Sequence, residues 1–240
     1  MKMRDSYFAG AMCLVFFLAS QAFQEVAYHF WIPAPRNPHD ELLIYLLRID
    51  QVRSFFTLAG ILALTVPFGV IATRCFRAAP LASTLGLIFG AAFIFFELSE
   101  RAVEIFVVGQ NWANGFSRAL SASESEAILR RFAAWNEAAA ALTFCLRLSY
   151  LLGSLAFARA TWKAEAPARW GWLATVAFLL NALRLLARLL STFAAQKWLN
   201  GFNDQLYFPA VFAIMGMLTV WFFLMAGTCD PTGAGPDSAA

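Results

Sequence analysis

Long runs of apolar residues alternate with short polar segments along most of the chain. A bilayer core about 30 Å thick requires ~20 apolar residues per helix. Six stretches meet this length, at about 7–29, 52–73, 80–106, 134–158, 170–192 and 206–227. The pattern predicts an all-α, polytopic membrane bundle of six transmembrane helices, with residues 1–228 forming a single domain. Residues 229–240 contain few apolar residues and are predicted to be a disordered tail.

Two of the loops carry signals for short amphipathic surface helices on the outer side. Asn37 is a predicted N-cap with Pro38 at the first helical position, and an apolar face follows in DELLIYLLRID. Ser123 and Glu126 have the spacing of a capping box ahead of another short helix. Solvated connectors, or a gate over the membrane domain, are the alternatives for both loops.

The composition agrees with a membrane protein and narrows the chemistry. Hydrophobic residues make up 60% of the 240 residues and charged residues 14%, against about 45–50% and about 25% in soluble domains. The net charge of +3 is spread along the chain, which gives no support for a nucleic-acid partner. The only histidines are His29 and His39, and no Cys/His metal spacing occurs, so no metal site and no cofactor are expected.

The flanking charges predict the orientation. Basic residues are equally numerous on the two sides, but the segments around Arg74 and Lys163 are short and dense in basic residues. The positive-inside rule therefore favours both termini in the cytoplasm, and the Arg- and Ala-rich composition suggests a bacterial inner membrane. An alternative is that MKMRD, the following apolar run and SQA at 20–22 form a cleaved signal peptide, which would leave five spans.

The segment FELSERAVEIF places four charges at the end of the third apolar run. At 100° per residue, Glu97, Glu100, Arg101 and Glu104 share one face of a helix, and Glu97 and Arg101 are spaced for an i, i+4 ion pair. Four charges facing lipid at mid-depth would cost about 10 kcal/mol or more. The stripe is therefore expected either where the helix leaves the bilayer or on the inside of the bundle.

Three other spans carry polar stripes that could meet this one. The first span has Gln24 and Glu25, the fourth has Arg147, and the fifth has Arg184 and Arg188 near mid-depth or beyond. The simplest arrangement turns these stripes toward each other, with acids of the third span facing arginines of the fourth and fifth. The predicted charge network or ligand site is Gln24, Glu25, Glu97, Glu100, Arg101, Glu104, Arg147, Arg184 and Arg188, with no catalytic residue assigned.

Three short motifs are similar to those of one bacterial family. AGAMCLVFFLAS begins the first span, Arg101 and Glu104 form an Arg-x-x-Glu in the third, and Pro167, Arg169 and Trp170 loosely match a Pro-Arg-Trp before the fifth. The chain resembles the six-helix membrane family known as domain of unknown function 4386. The resemblance implies the six-helix architecture. It implies no activity.

Three functions are compatible with these features. The leading hypothesis is a protein that binds or transports a small anionic or amphiphilic ligand, including a lipid, in a charged cavity within the membrane. The second is an accessory or assembly subunit whose charged stripes pair with a membrane-protein partner. The third, a lipid-modifying enzyme using a glutamate as acid or base, has the least support because no hydrolase or metal motif is present.

Overall fold

The computed structural model describes residues 3–165, 170–193 and 198–228. The tail 229–240, for which disorder is predicted, lies outside these residues. The part of the chain that is described consists of helices and connecting turns, without a strand. Its elements are α1 (Met3–Val26), a π-helical turn (Ala27–Trp31), α2 (Pro38–Ile44), α3 (Arg48–Ala63), α4 (Thr65–Cys75), α5 (Pro80–Ala102), a π-helical segment (Val103–Ala113), α6 (Asn114–Ser117), α7 (Ala122–Glu165), α8 (Gly171–Phe193) and α9 (Trp198–Thr228).

The six predicted spans are confirmed. Within the described residues, six helical stretches are long and apolar enough to cross a membrane: Met3–Trp31, Arg48–Cys75, Pro80–Ser117, Ala122–Ala164, Gly171–Phe193 and Gln205–Thr228. Neighbouring spans in the sequence pack side by side, and α9 closes the ring by packing on α1. The protein is therefore a multi-pass membrane protein built as a closed bundle.

Local sequence determines several helix boundaries. The Asn37 side chain accepts a hydrogen bond of 2.8 Å from the Asp40 backbone N–H, which confirms the predicted cap and Pro38 at the start of α2. The second span is interrupted at Leu64, between α3 and α4. Pro67 lies one turn later and has no N–H to donate back to Ala63, so the helical hydrogen bonding is broken there.

The surface helix predicted from Ser123 is wrong in its extent. The helix begins at Ala122 and continues without a break to Glu165 as the 44-residue α7, because residues 122–152 contain no Gly or Pro and the single Gly153 is tolerated within a long helix. Ser121 provides the cap instead, since its hydroxyl accepts a hydrogen bond from the Glu124 N–H at 3.3 Å. At 1.5 Å per residue α7 is about 66 Å long, so it extends well beyond a ~30 Å bilayer core.

The main core is aromatic and closes one half of the bundle. Tyr7 of α1 packs edge-on against Trp221 of α9, with ring centroids 5.8 Å apart. Phe157 of α7 lies between Phe68 of α4 and Phe178 of α8, at 5.5 and 5.3 Å. All five rings are buried. Loss of the first span, as in the signal-peptide alternative, would remove Tyr7 and its neighbours from this core.

A second core lies at the end of the bundle that carries α2. We call this the α2 end. Here the extensions of the third and fourth spans pack against α2, and Leu42 and Val108 are fully buried. Of the apolar residues directly after FELSERAVE, Ile105 and Val108 are thus covered by protein, whereas Phe106 stays exposed. The second core comprises Leu42, Val108, Ala113, Phe116 and Phe132.

Candidate functional site

A polar cavity of about 200 Å³ lies in the half of the bundle nearer the α2 end. The first and fifth spans contribute residues from their second halves, the second and sixth spans from their first halves, and the third and fourth spans from their middle parts. Its floor is the stacked pair of Phe93 and Tyr150, whose ring centroids are 4.1 Å apart. Its lining is Phe17, Gln21, Gln24, Thr57, Ile61, Phe93, Glu97, Glu100, Arg101, Thr143, Leu146, Arg147, Tyr150, Arg184, Leu185, Arg188, Tyr207, Val211 and Met215.

Helix geometry gives the depth of the arginines on α8. Arg184 follows Gly171 by thirteen residues and Arg188 by seventeen, which places them about 20 and about 26 Å along the helix axis. In a hydrocarbon core of about 30 Å that begins at Gly171, Arg184 would lie inside the core and Arg188 near its far boundary. This depth agrees with the sequence pattern, which predicts these residues near mid-depth or beyond.

Arg101 holds the charged stripe of the third span together. Its Nε donates to Glu97 at 3.1 Å, and its Nη1 donates to Glu104 at 2.7 Å. The three side chains are only 16–20% exposed. The predicted i, i+4 pair between Glu97 and Arg101 is confirmed, and Glu104 gains the same partner one turn later. Two of the acids are thus neutralised within their own helix.

Glu100 faces the fourth span. Its carboxylate accepts a hydrogen bond from the Thr143 hydroxyl at 3.3 Å. This contact confirms that the third-span stripe turns toward α7 and the bundle interior. It also shows that the expected ion pairs between Glu100 and the arginines are replaced by a hydrogen bond to a hydroxyl, because the helix crossing brings Thr143 opposite Glu100.

The arginines across the cavity have neutral partners instead. Arg184 donates through Nη2 to the Asn181 side-chain oxygen at 3.1 Å, and its guanidinium lies 5.4 Å from the centre of the Tyr207 ring. Arg147 donates through Nη1 to the Thr192 hydroxyl at 3.0 Å. These contacts fix the orientation of both guanidinium groups, and among the described residues neither group forms an ion pair with a carboxylate. The expected pairing of third-span acids with Arg147 and Arg184 is wrong for this reason.

Arginines outnumber acids around the cavity. Four arginines and two glutamates line it among the described residues, and Glu104 pairs with Arg101 from outside it, which leaves a formal excess of one positive charge. Arg188 lies on the wall one helical turn beyond Arg184. In a low-dielectric surrounding such an excess attracts anions, and a guanidinium group binds carboxylate or phosphate oxygens in a bidentate manner.

Seven of the nine predicted site residues line this cavity: Gln24, Glu97, Glu100, Arg101, Arg147, Arg184 and Arg188. Glu25 does not line it, although it follows Gln24 on the same helix. Glu104 lines a smaller cavity of about 90 Å³ together with Asp50 and Tyr45. Burial raises the pKa of the Tyr45 phenol, and the nearby Glu104 carboxylate raises this pKa further.

Sequence reasoning missed the second-span contribution. Thr57 donates a hydrogen bond to Gln24 at 3.0 Å and thereby joins the second span to the first. Asp50 and Arg53 form an ion pair of 2.7 Å with side chains only 3–4% exposed, and the Arg53 guanidinium lies 4.6 Å from the Tyr28 ring centre. The i, i+3 spacing of Asp50 and Arg53 could have indicated this ion pair from the sequence. Both residues lie at the start of a span, however, where charged side chains are usually expected to be exposed to water.

No cluster of metal-ligating side chains is found among the described residues. Within residues 3–165, 170–193 and 198–228, no three side chains of His, Cys, Asp or Glu lie together in a way that could hold a metal ion. In the cavity itself, the Glu97 carboxylate is engaged by Arg101, and Arg147 and Arg184 retain N–H donors.

Comparison of the chain with protein-family models, with curated proteins and with solved structures finds no match. The resemblance to a six-helix bacterial family therefore stays a prediction.

Proposed function

We propose that the protein binds a small anionic ligand in the cavity at the α2 end. The observation that carries the proposal is the pair of guanidinium groups, Arg147 and Arg184, whose hydrogen-bond partners are neutral. A cation in the membrane interior costs several kcal/mol unless it is paired. An anion in the cavity would supply the missing counter-charge.

Both guanidinium groups keep donors for a ligand. Each arginine has five N–H groups. Arg184 uses Nε and Nη2 on the single oxygen of Asn181, which leaves three N–H groups, and Arg147 uses one on Thr192, which leaves four. Because neighbouring side chains already hold the two groups, little conformational entropy would be lost when an anion binds.

The acids have a positioning role in this proposal. Glu97 and Glu104 hold Arg101 against the third span, and Glu100 is hydrogen-bonded to Thr143 on the opposite wall. These internal contacts weigh against the accessory-subunit alternative, in which Glu100 and Glu104 would be available to a partner protein. Neutralising Glu100 and Glu104 should therefore release no stoichiometric partner from the purified protein.

Binding has stronger support than transport. The half of the bundle away from the α2 end is filled by the aromatic core around Phe157 and Trp221, both almost fully buried. A ligand could cross only if these rings separated. We place the protein in a bacterial inner membrane with both termini in the cytoplasm, which would set the cavity on the outer side. The short, basic segments around Arg74 and Lys163 support this orientation.

The test is the binding of radiolabelled inorganic phosphate to the full-length protein in phosphatidylcholine nanodiscs at low ionic strength. A hydrogen bond to a charged group contributes about 1.5–3 kcal/mol, so Arg184→Leu should weaken binding by roughly 10- to 150-fold. Arg130→Leu is the matched control, because Arg130 is 71% exposed and lies outside the cavity. An unchanged Kd in Arg184→Leu, or no phosphate binding by the wild type, would exclude the proposal.

A further inference from the structure

An apolar groove runs along the lipid-facing side of the bundle between α8 and α9. Its volume is about 320 Å³, within the range of small-molecule sites. It follows nine residues of α8, from Leu180 to Arg188, and the eight steps between them give a length of about 12 Å. This is close to the depth of one leaflet of a ~30 Å hydrocarbon core. The groove is lined by Leu180, Leu183, Arg184, Ala187, Arg188, Leu206, Tyr207, Ala210, Ala213 and Ile214.

The groove and the polar cavity share a wall. Arg184, Arg188 and Tyr207 line both spaces, and every other lining residue of the groove is apolar. A ligand whose anionic group contacts these arginines from the lipid side would therefore extend its remaining atoms along Leu and Ala side chains. This combination of a cationic end and an apolar channel matches an amphiphile rather than a free ion.

We infer that the ligand is an anionic lipid with a phosphate-containing headgroup, which enters sideways between α8 and α9. The headgroup lies on Arg184 at the wall that the groove shares with the cavity, and one acyl chain lies in the groove toward Leu180 and Ile214. This inference rests on the proposed anion site and adds the class of ligand and its route of entry. It requires no opening of the aromatic core, because the ligand stays within its own leaflet.

The apolar interior of the bilayer limits how the groove can select one lipid over another. Lipid tails are as apolar as leucine, so moving an acyl chain from the bilayer into the groove gains little hydrophobic energy. Selection among lipids must come from the headgroup, through its charge-assisted hydrogen bonds to arginine. We therefore expect strong dependence on headgroup charge and weak dependence on chain length.

The test uses lipids that carry a photoreactive group on one acyl chain, in phosphatidylcholine nanodiscs holding the full-length protein. Photoreactive phosphatidic acid should label the wild type several-fold more than photoreactive phosphatidylcholine does. The labelled peptides should come from α8 and α9. Arg184→Leu should abolish the difference between the two lipids. Equal labelling by both lipids, or labelling spread over all six spans, would overturn the inference.

A second pair of variants tests the groove itself. Ala213→Trp fills the groove with an indole ring and should reduce labelling by phosphatidic acid several-fold. Val220→Trp is the control, because Val220 is also exposed on α9 but lies outside the groove. Normal labelling of Ala213→Trp would overturn the inference. Thermal unfolding of each variant shows whether the bundle remains intact.

The phosphate measurement separates the two proposals. If inorganic phosphate binds in an Arg184-dependent way while the two lipids label equally, the cavity is a site for a free anion and only the lipid inference fails. If neither the binding of phosphate nor the labelling by phosphatidic acid depends on Arg184, both proposals fail.

Discussion

Arg101→Met tests the central assignment of the charged stripe. The substitution keeps a long side chain but removes the cation that Glu97 and Glu104 share. Removing one member of a buried ion pair costs about 3–5 kcal/mol, since the other charge remains buried without compensation. The side chains here are 16–20% exposed, so screening reduces the expected loss to about 2–4 kcal/mol.

The assay is reversible unfolding of the purified protein in mixed micelles of increasing SDS content, which gives the free energy of unfolding. Arg130→Met provides the matched control, because Arg130 also faces a helical glutamate at i−4, but at 3.8 Å and with both side chains about 70% exposed. An exposed pair of this kind contributes ~0–1 kcal/mol. The difference between the two variants therefore isolates the effect of burial.

A triple variant provides a second test of the Arg101 ion pairs. When Glu97→Gln and Glu104→Gln are added to Arg101→Met, the two carboxylates that lost their ion-pair partner are removed as well, and the combined variant should recover most of the lost stability. The reasoning is refuted if Arg101→Met is no more destabilising than Arg130→Met. It is also refuted if removing the two acids from the Arg101→Met background lowers stability further.

Two further substitutions test the structure elsewhere. Arg53→Met should lower the free energy of unfolding by about 3–5 kcal/mol in the same assay, because it leaves the Asp50 carboxylate almost fully buried without its cation; a loss below 1 kcal/mol would show that Asp50 reaches water. Asn37→Ala removes the cap of α2 and should destabilise that helix by about 1 kcal/mol, seen as faster amide hydrogen exchange in α2 with unchanged exchange in α8. Protection of α2 equal to that of the wild type would exclude the cap as its determinant.

The sequence alone determined the spans and the polar faces. Bilayer thickness sets a required length for each apolar run, so counting apolar residues located all six helices. The fixed rotation per residue placed Glu97, Glu100 and Arg101 on one face, because neighbours on a helix are set by sequence spacing. The same local rule identified the Asn37 cap and the Glu97–Arg101 pair, both of which join residues within one turn.

Only the tertiary structure decided the partners across helices. The contact of Glu100 with Thr143, in place of an arginine, depends on where α5 and α7 cross and on the rotation of each helix about its axis. Beyond Ala102 the chain also changes to π-helical winding, so the 100° rule no longer predicts which way a side chain points, and Glu104 lines a different cavity from Glu100. The burial of Asp50 and Arg53 is also decided by the packing of helices, because nothing near these two residues in the sequence specifies what packs over them. Charges on separate helices have no fixed spacing in the sequence, and their pairing is set by packing.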